Sequence, residues 1–182
     1  KRCQKILKPN GSLMVSGTFH VIYSIGYAMQ QLNMKILNNI TWQKPNPPPN
    51  LACRYFTHST ETIIWAAKNT KSKHKFNYEL MKEINDDKQM KDVWVMTAPG
   101  KAEKTYDKHP TQKPLSLLDR LILAATDEGD LVLDAFNGSG TTGVSCIRTN
   151  REYIGIELEK EFIQLSEKRF SEQTKLNDKL SA

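Results

Sequence analysis

Within the stretch Leu131 to Gly143, LVLDAFNGSGTTG, one aspartate, three glycines and two threonines share a ten-residue window. Gly138, Gly140 and Gly143 fall at G-x-G-x-x-G spacing. Glycine lets a backbone turn sharply and lets a ligand approach with no Cβ in the way. The first N–H groups of a helix opening after such a turn favour an anionic ligand group. Glu157, ~20 residues past the first glycine, is placed to accept hydrogen bonds from ribose hydroxyls. Together these residues describe a site for a cofactor that carries a nucleoside. The spacing alone leaves NAD, FAD and S-adenosylmethionine open, along with a turn that serves only helix–sheet packing. Two features favour S-adenosylmethionine. Asp134 would repel a pyrophosphate but can serve the cationic end of a methionine moiety. The hydroxyls of Ser139, Thr141 and Thr142 suit a carboxylate better than a pyrophosphate pressed on bare backbone.

A strand, a tight turn and a helix must hold these residues. Leu131 to Ala135 reads as a buried strand, and the segment after Gly140 as the start of a helix. A second strand, YIGIEL from Tyr153, delivers Glu157 near its C-terminal end, and a last helix follows from Glu159. Upstream, PLSLLDRLILAAT (114–126) puts Leu117, Leu118, Leu121 and Ile122 on one helical face. Nearer the beginning, GSLMVSG (11–17), KILNNITWQ (35–43) and ETIIWAAK (61–68) read as strands, the last with Ile63, Ile64 and Trp65 inside. TFHVIYSIGYAMQQLN (18–33) has Ile22, Ile25, Met29 and Leu32 at helical spacing. Residues 69–108 are polar and charged and read as a small insertion with one short helix near Tyr78–Ile84. The organisation is alternating α/β, with no internal repeat and no low-complexity tract.

Composition bounds the partners. The 182 residues suit one domain with a sizeable core. Lys and Arg number 26 against 20 Asp and Glu, giving +6 and a pI near 9.2. That excess favours polyanionic partners, although it is also an ordinary solubility charge. Three cysteines, Cys3, Cys53 and Cys146, without metal-ligand spacing speak against a disulfide framework or a zinc site and suit a reducing cytoplasm. No metal is expected. No apolar run approaches a membrane span and no signal peptide is visible, so no membrane partner is expected.

DAFNGSGTTG resembles the D-P-F-x-G-S-G-T-T signature of β-class DNA amino-methyltransferases, with Ala135 in the place of the proline. KHPTQKP (108–114) resembles their other cofactor motif. KPNGSLMVSG, WQKPNPPPN and RYFTHSTETIIWAAK resemble further segments in the same order, so the likeness covers nearly the whole chain. In detail it is strongest to the adenine-N6 enzymes that methylate GATC, then to those acting on GANTC. The resemblance implies an α/β, Rossmann-like S-adenosylmethionine-dependent methyltransferase fold. In it a mixed seven-stranded sheet carries helices on both faces, with the motifs in circularly permuted β-class order. It implies a single catalytic domain over 1–182, with 69–108 as the target-recognition insertion. It assigns the cofactor to Asp134, Phe136, Gly138, Ser139, Gly140, Thr142 and Glu157, and to His109, Thr111, Gln112 and Lys113. The partners it implies are double-stranded DNA and also single-stranded DNA, a second copy in a homodimer, and a cognate restriction endonuclease.

Some of these residues have plainer readings. HPTQKP can be a helix entry, with Thr111 as N-cap and Pro114 in the first turn, which leaves His109, Gln112 and Lys113 unexplained as a group. Trp42, Tyr55 and Phe56 can stack on a displaced base or simply be core, and His58 can be a satisfied turn residue. Lys71, Lys73 and Lys75, with Lys68 and His74, form a basic run that is a solvated face by default. In this family the run lies where DNA is recognised, so DNA contact is expected from Lys71, Lys73, Lys75, Trp42 and His58.

The family's catalytic D-P-P-Y motif is not among these residues, so no catalytic residue is assigned. In the β class it precedes the K-P-N-G segment. KRCQKILKPNG reads as the end of a helix followed by a turn, and the expectation is that a segment bearing the motif lies before Lys1. Asn46-Pro47-Pro48-Pro49 lacks the aromatic fourth residue that would stack on an extruded base and reads as a stiff extended loop. The expected function is methyl transfer from S-adenosylmethionine to adenine N6 in duplex DNA, within GATC and a restriction–modification system. Cytosine-N4 methylation and a non-catalytic cofactor- or DNA-binding fragment stay open. A D-P-P-[YFW] before Lys1 would favour adenine, S-P-P-[YFW] cytosine, and neither an inert module.

Overall fold

The computed structural model describes residues 1–104, 106 and 111–181. The chain divides into two compact units, Lys1–Thr97 and Ala98–Ala182.

The first unit runs α1 (Arg2–Ile6), β1 (Ser12–Gly17), α2 (Ile22–Gln31), β2 (Lys35–Gln43), β3 (Thr60–Ala67), α3 (Tyr78–Glu83) and β4 (Val93–Val95). The strands form one sheet in the order β1-β3-β2-β4. β3 is antiparallel to both β1 and β2, and β4 is parallel to β2. The uninterrupted apolar run of β3 reflects its inner position: Ile63, Ile64, Trp65, Ala66 and Ala67 are all buried. The helical spacing of α2 puts Ile22 and Met29 in a cluster with Met34, Ile64 and Ala66, and Ile25 and Leu32 pack against it. The segment 69–108 contains α3 close to its expected place, but also β4, which the sequence reading did not anticipate. Three residues are too few for an alternation to register, yet Trp94 is buried and donates its indole N–H to Lys91 O at 2.7 Å. Between β2 and β3 the chain from Pro45 to Ser59 holds no regular element, as three consecutive prolines dictate.

The second unit opens with a single 3-10 turn, Lys101–Glu103, then runs α4 (Leu115–Ala125), β5 (Leu131–Asp134), α5 (Thr141–Arg148), β6 (Glu152–Gly155) and α6 (Lys160–Ser181). β5 and β6 pair in parallel, from Leu131 opposite Glu152 to Asp134 opposite Gly155. Parallel neighbours need a crossover, and α5 supplies it. Leu117, Leu121 and Ile122 of α4 are buried as their spacing predicts, and Leu118 is half-buried. β5 is not the fully buried strand expected. Leu131 and Leu133 stand exposed on one face with Ile154 and Ile156, while Val132, Asp134 and Tyr153 are half-buried on the other.

All three cysteines are free. Cys3 and Cys53 are exposed; Cys146 is buried in α5, and burial pushes its thiol up to about 12. At pH 8 a thiol reagent should therefore modify two cysteines at once and the third only on unfolding. Mass spectrometry counts the labels, and three rapid modifications would contradict the packing around α5.

Candidate functional site

The glycine turn is held at both ends by one carboxylate. Asp134 closes β5; its Oδ1 accepts from Phe136 N at 3.0 Å and its Oδ2 from the Thr142 hydroxyl at 2.6 Å. Asn137, buried inside the turn, donates its backbone N–H to Ile156 O at 3.0 Å, and its Oδ1 accepts from the Tyr153 hydroxyl at 2.5 Å. Burial, with Asp134 nearby, raises the Tyr153 phenol, so it remains a proton donor at neutral pH. The turn is thus fixed to β6 as well as to β5.

Two of the three glycines are explained by packing. Gly140 caps α5 at φ +75°, and a Cβ there would sit 2.6 Å from Ser166 Cβ and 2.9 Å from the Phe170 ring. A Cβ on Gly143 would meet the same ring at 2.4 Å and Tyr153 at 2.6 Å. Helix α6 therefore lies against the turn more closely than any other residue would allow. Gly138 serves differently, donating its N–H to Glu157 Oε2 at 2.7 Å. Glu157 stands two residues beyond β6, and its Oε1 accepts from Leu158 N at 2.8 Å and Glu159 N at 3.1 Å. The acid and the turn, read from the sequence as separate parts of one site, are in direct contact. Ser139 and Thr141 are buried with their hydroxyl oxygens 3.3 Å apart, and Phe136 presents its ring to solvent, 89 % exposed.

The TQKP segment departs from the helix-entry reading. α4 begins at Leu115 with Pro114 as N-cap, and Thr111 is not the cap. The Leu115 N–H is taken instead by Glu103 Oε2 at 2.8 Å. Gln112 is buried and donates to Glu103 O at 2.7 Å; Thr111 is exposed and Lys113 half-buried. His109 lies outside the described residues. Glu103, and Arg169 of α6, whose guanidinium reaches Ser139 O at 2.5 Å, were missed by the sequence reading. Neither stands in a motif.

The first unit carries the residues expected to meet DNA, and one of them is corrected. Trp42 is core: it is 2 % exposed, donates its indole N–H to Met96 O at 2.8 Å and has the Lys44 ammonium over its ring. No face of it is open to a base. His58 is exposed and stacks on Phe19 with ring centroids 4.4 Å apart. Phe19 also lies 3.8 Å from the His20 ring, Tyr55 lies 5.2 Å from His58, and all of these rings are exposed. Lys71, Lys73 and Lys75 are exposed on a segment fixed to the turn before β1, where Ser72 Oγ donates to Pro9 O at 2.6 Å and Lys73 N to Asn10 Oδ1 at 3.0 Å. Charge is also uneven. No Asp or Glu occurs before Glu61, while Lys1, Arg2, Lys5, Lys8, Lys35, Lys44 and Arg54 do. The other 19 Lys and Arg face all 20 acids. The whole positive excess thus belongs to the first 60 residues, a signal present in the sequence but hidden by the modest total.

Among the described residues there is no group of three His, Cys, Asp or Glu side chains that could hold a metal, and no helix long and apolar enough to cross a membrane.

A strand, glycine turn and helix closed by an acid just past the next strand form an arrangement shared by α/β proteins that bind nucleoside cofactors. The DNA methylase family model matches residues 1–168, and the chain belongs to that family. It is 58 % identical over 175 residues to the Type II methyltransferase M2.DpnII of Streptococcus pneumoniae, covering 96 % of this chain and 65 % of the relative. To the Type II methyltransferase M2.MboI of Moraxella bovis it is 56 % identical over 173 residues, covering 95 % and 63 %. The chain thus spans just under two thirds of the length of these relatives. Among solved structures, the M1.HpyAVI–SAM complex superposes with a TM-score of 0.79 at 36 % identity, over 92 % of this chain and 78 % of that one. The cytosine-N4-specific PvuII DNA methyltransferase superposes at 0.76 with 22 % identity, over 92 % and 66 %, a likeness of fold alone.

Proposed function

We propose that the chain supplies the cofactor- and DNA-binding residues of a DNA methyltransferase that transfers a methyl group from S-adenosylmethionine to adenine N6 in duplex DNA, within GATC and as part of a restriction–modification system. The observation that carries this reading is the contact between Glu157 and the glycine turn, which brings a diol acceptor and a helix start into one site. The donor set fits the cofactor. Glu157 accepts from the ribose hydroxyls, the first N–H groups of α5 receive the carboxylate, Asp134, held by the Thr142 hydroxyl, faces the cationic methionine end, and the open ring of Phe136 lies beside the nucleoside. Gln112 and Lys113 complete the methionine end. When bound, S-adenosylmethionine supplies a methyl already activated by its sulfonium, so the chain's task is to hold and orient rather than to activate. Names of relatives support the class: two are Type II methyltransferases, and a solved relative was crystallised with SAM.

Glu157→Ala should weaken S-adenosylmethionine binding by about 1.5–3 kcal/mol, the contribution of a charged hydrogen bond. Calorimetry measures it, and an unchanged affinity would remove Glu157 from the site.

DNA is bound by the first unit, with Lys71, Lys73 and Lys75 on phosphates and His58 near the base. The acid-free first 60 residues and the exposed rings around His58 support this assignment. Segment 69–108 acts in target recognition, although its β4 belongs to the sheet. Each lost phosphate contact should lower the salt slope of DNA binding by ~0.9. A triple alanine variant at Lys71, Lys73 and Lys75 that kept the parental slope would make the run a solvated face. The partners proposed are duplex and single-stranded DNA, a second copy in a homodimer and a cognate endonuclease, in the cytoplasm.

A further inference from the structure

Arg169 lies on the face of α6 that meets the glycine turn. Its Nη1 donates to Ser139 O at 2.5 Å and to the Thr141 hydroxyl at 3.1 Å. One acceptor lies in the turn and the other opens α5, and the bonds tie both to α6. A carbonyl free to swing outward at the start of α5 would present negative charge to an anion bound there. A carbonyl held inward leaves the helix N–H groups as the surface the anion meets. A guanidinium can do this for two acceptors at once because its donors are fixed in a planar fork. Burial disfavours its charge, and the carboxylates of Glu103 and Glu172 offset that cost.

Glu103 extends the arrangement to the second cofactor segment. Its Oε2 takes the Leu115 N–H that opens α4, and its carbonyl takes the Gln112 amide. The glycine turn and the TQKP segment therefore each have one charged partner, of opposite sign, and the negative charge of Glu103 favours the charged form of Arg169. No family motif quoted above contains either residue.

We propose that Arg169 is a positioning residue for the methionine end of the cofactor, fixing the glycine turn through Ser139 and Thr141, while Glu103 fixes Gln112 and the start of α4. The proposal rests on the reading of the turn as an S-adenosylmethionine site. It separates two halves of one ligand: the amino-acid half depends on Arg169, and the nucleoside half, held by Glu157, does not.

The test uses the whole chain, two ligands and three variants. S-Adenosylmethionine carries both halves; 5′-methylthioadenosine carries only the nucleoside. Arg169→Met should weaken the first by about tenfold or more, the loss of charge-assisted hydrogen bonds, and leave the second within about twofold. Arg169→Lys keeps the charge and three donors but loses the fixed planar geometry and reach of the guanidinium, and should fall between the parent and Arg169→Met. Glu103→Gln keeps an oxygen for the Leu115 N–H while losing the charge, and should weaken S-adenosylmethionine selectively by a smaller factor. Equal loss of both ligands would make Arg169 merely structural and overturn the proposal, as would an unchanged affinity for S-adenosylmethionine. If Arg169→Met shows no cooperative melt, Arg169→Lys and Glu103→Gln decide by the same selectivity. A parent chain that melts cooperatively yet binds neither ligand would defeat the cofactor reading itself, and the proposal with it. A parent that binds both, with variants that lose neither, defeats the proposal alone.

Discussion

Gly140→Ala is expected to abolish S-adenosylmethionine binding and to lower the melting temperature by roughly 6–12 °C. The backbone at Gly140 is left-handed, which costs an alanine about 1–2 kcal/mol. The added methyl would also enter the space of Ser166 and Phe170, and overpacking of this kind costs about 1–3 kcal/mol. A total near 3 kcal/mol corresponds to the stated shift at about 2–4 °C per kcal/mol for a chain of this size. Relief can come only by moving α6 or opening the turn, and either displaces the helix start that receives the cofactor. Gly129 provides the control. It too is left-handed, at φ +77°, but nothing lies within 4 Å of a Cβ built there. Gly129→Ala should lose about 1 kcal/mol and bind the cofactor normally. If the two variants melt alike and both bind, the close seating of α6 on the turn is wrong.

The second large effect concerns the chemistry. These 182 residues are expected to bind S-adenosylmethionine and yet to incorporate no methyl into DNA above a heat-killed control. N6 transfer needs an acceptor for the amine hydrogens and an aromatic platform for an extruded base. Asn46 offers an amide, but Pro47, Pro48 and Pro49 follow it and no ring stands in the fourth place. Fused to a segment that carries D-P-P-Y, the same residues should transfer methyl to adenine. Incorporation by the 182 residues alone would overturn this expectation and make Asn46 a catalytic candidate.

Much of this was legible in the sequence, for identifiable reasons. Apolar spacing placed α2, β2, β3 and α4 because each buries a stripe or run against a core, which is what periodicity records. The glycine turn was legible because few conformations suit G-x-G-x-x-G between a strand and a helix. Its chemistry was less so. Gly140 and Gly143 answer to α6, some 25 residues further on, and a local pattern cannot show a distant helix pressing on it. Trp42 failed as a DNA contact because a strand aromatic reads alike whether its face is inward or open, and tertiary burial decides. β4 was too short to show a period. Arg169 and Glu103 act on backbone atoms of other segments, and such pairings leave no spacing signature.

The most direct test is a crystal structure of the chain with S-adenosylmethionine. The expected result is the ribose diol within hydrogen-bond distance of the Glu157 carboxylate and the methionine carboxylate at the first N–H groups of α5, beside Thr142 and Gln112. Cofactor bound elsewhere, or a ribose away from Glu157 with the carboxylate off the glycine turn, would contradict the site described here.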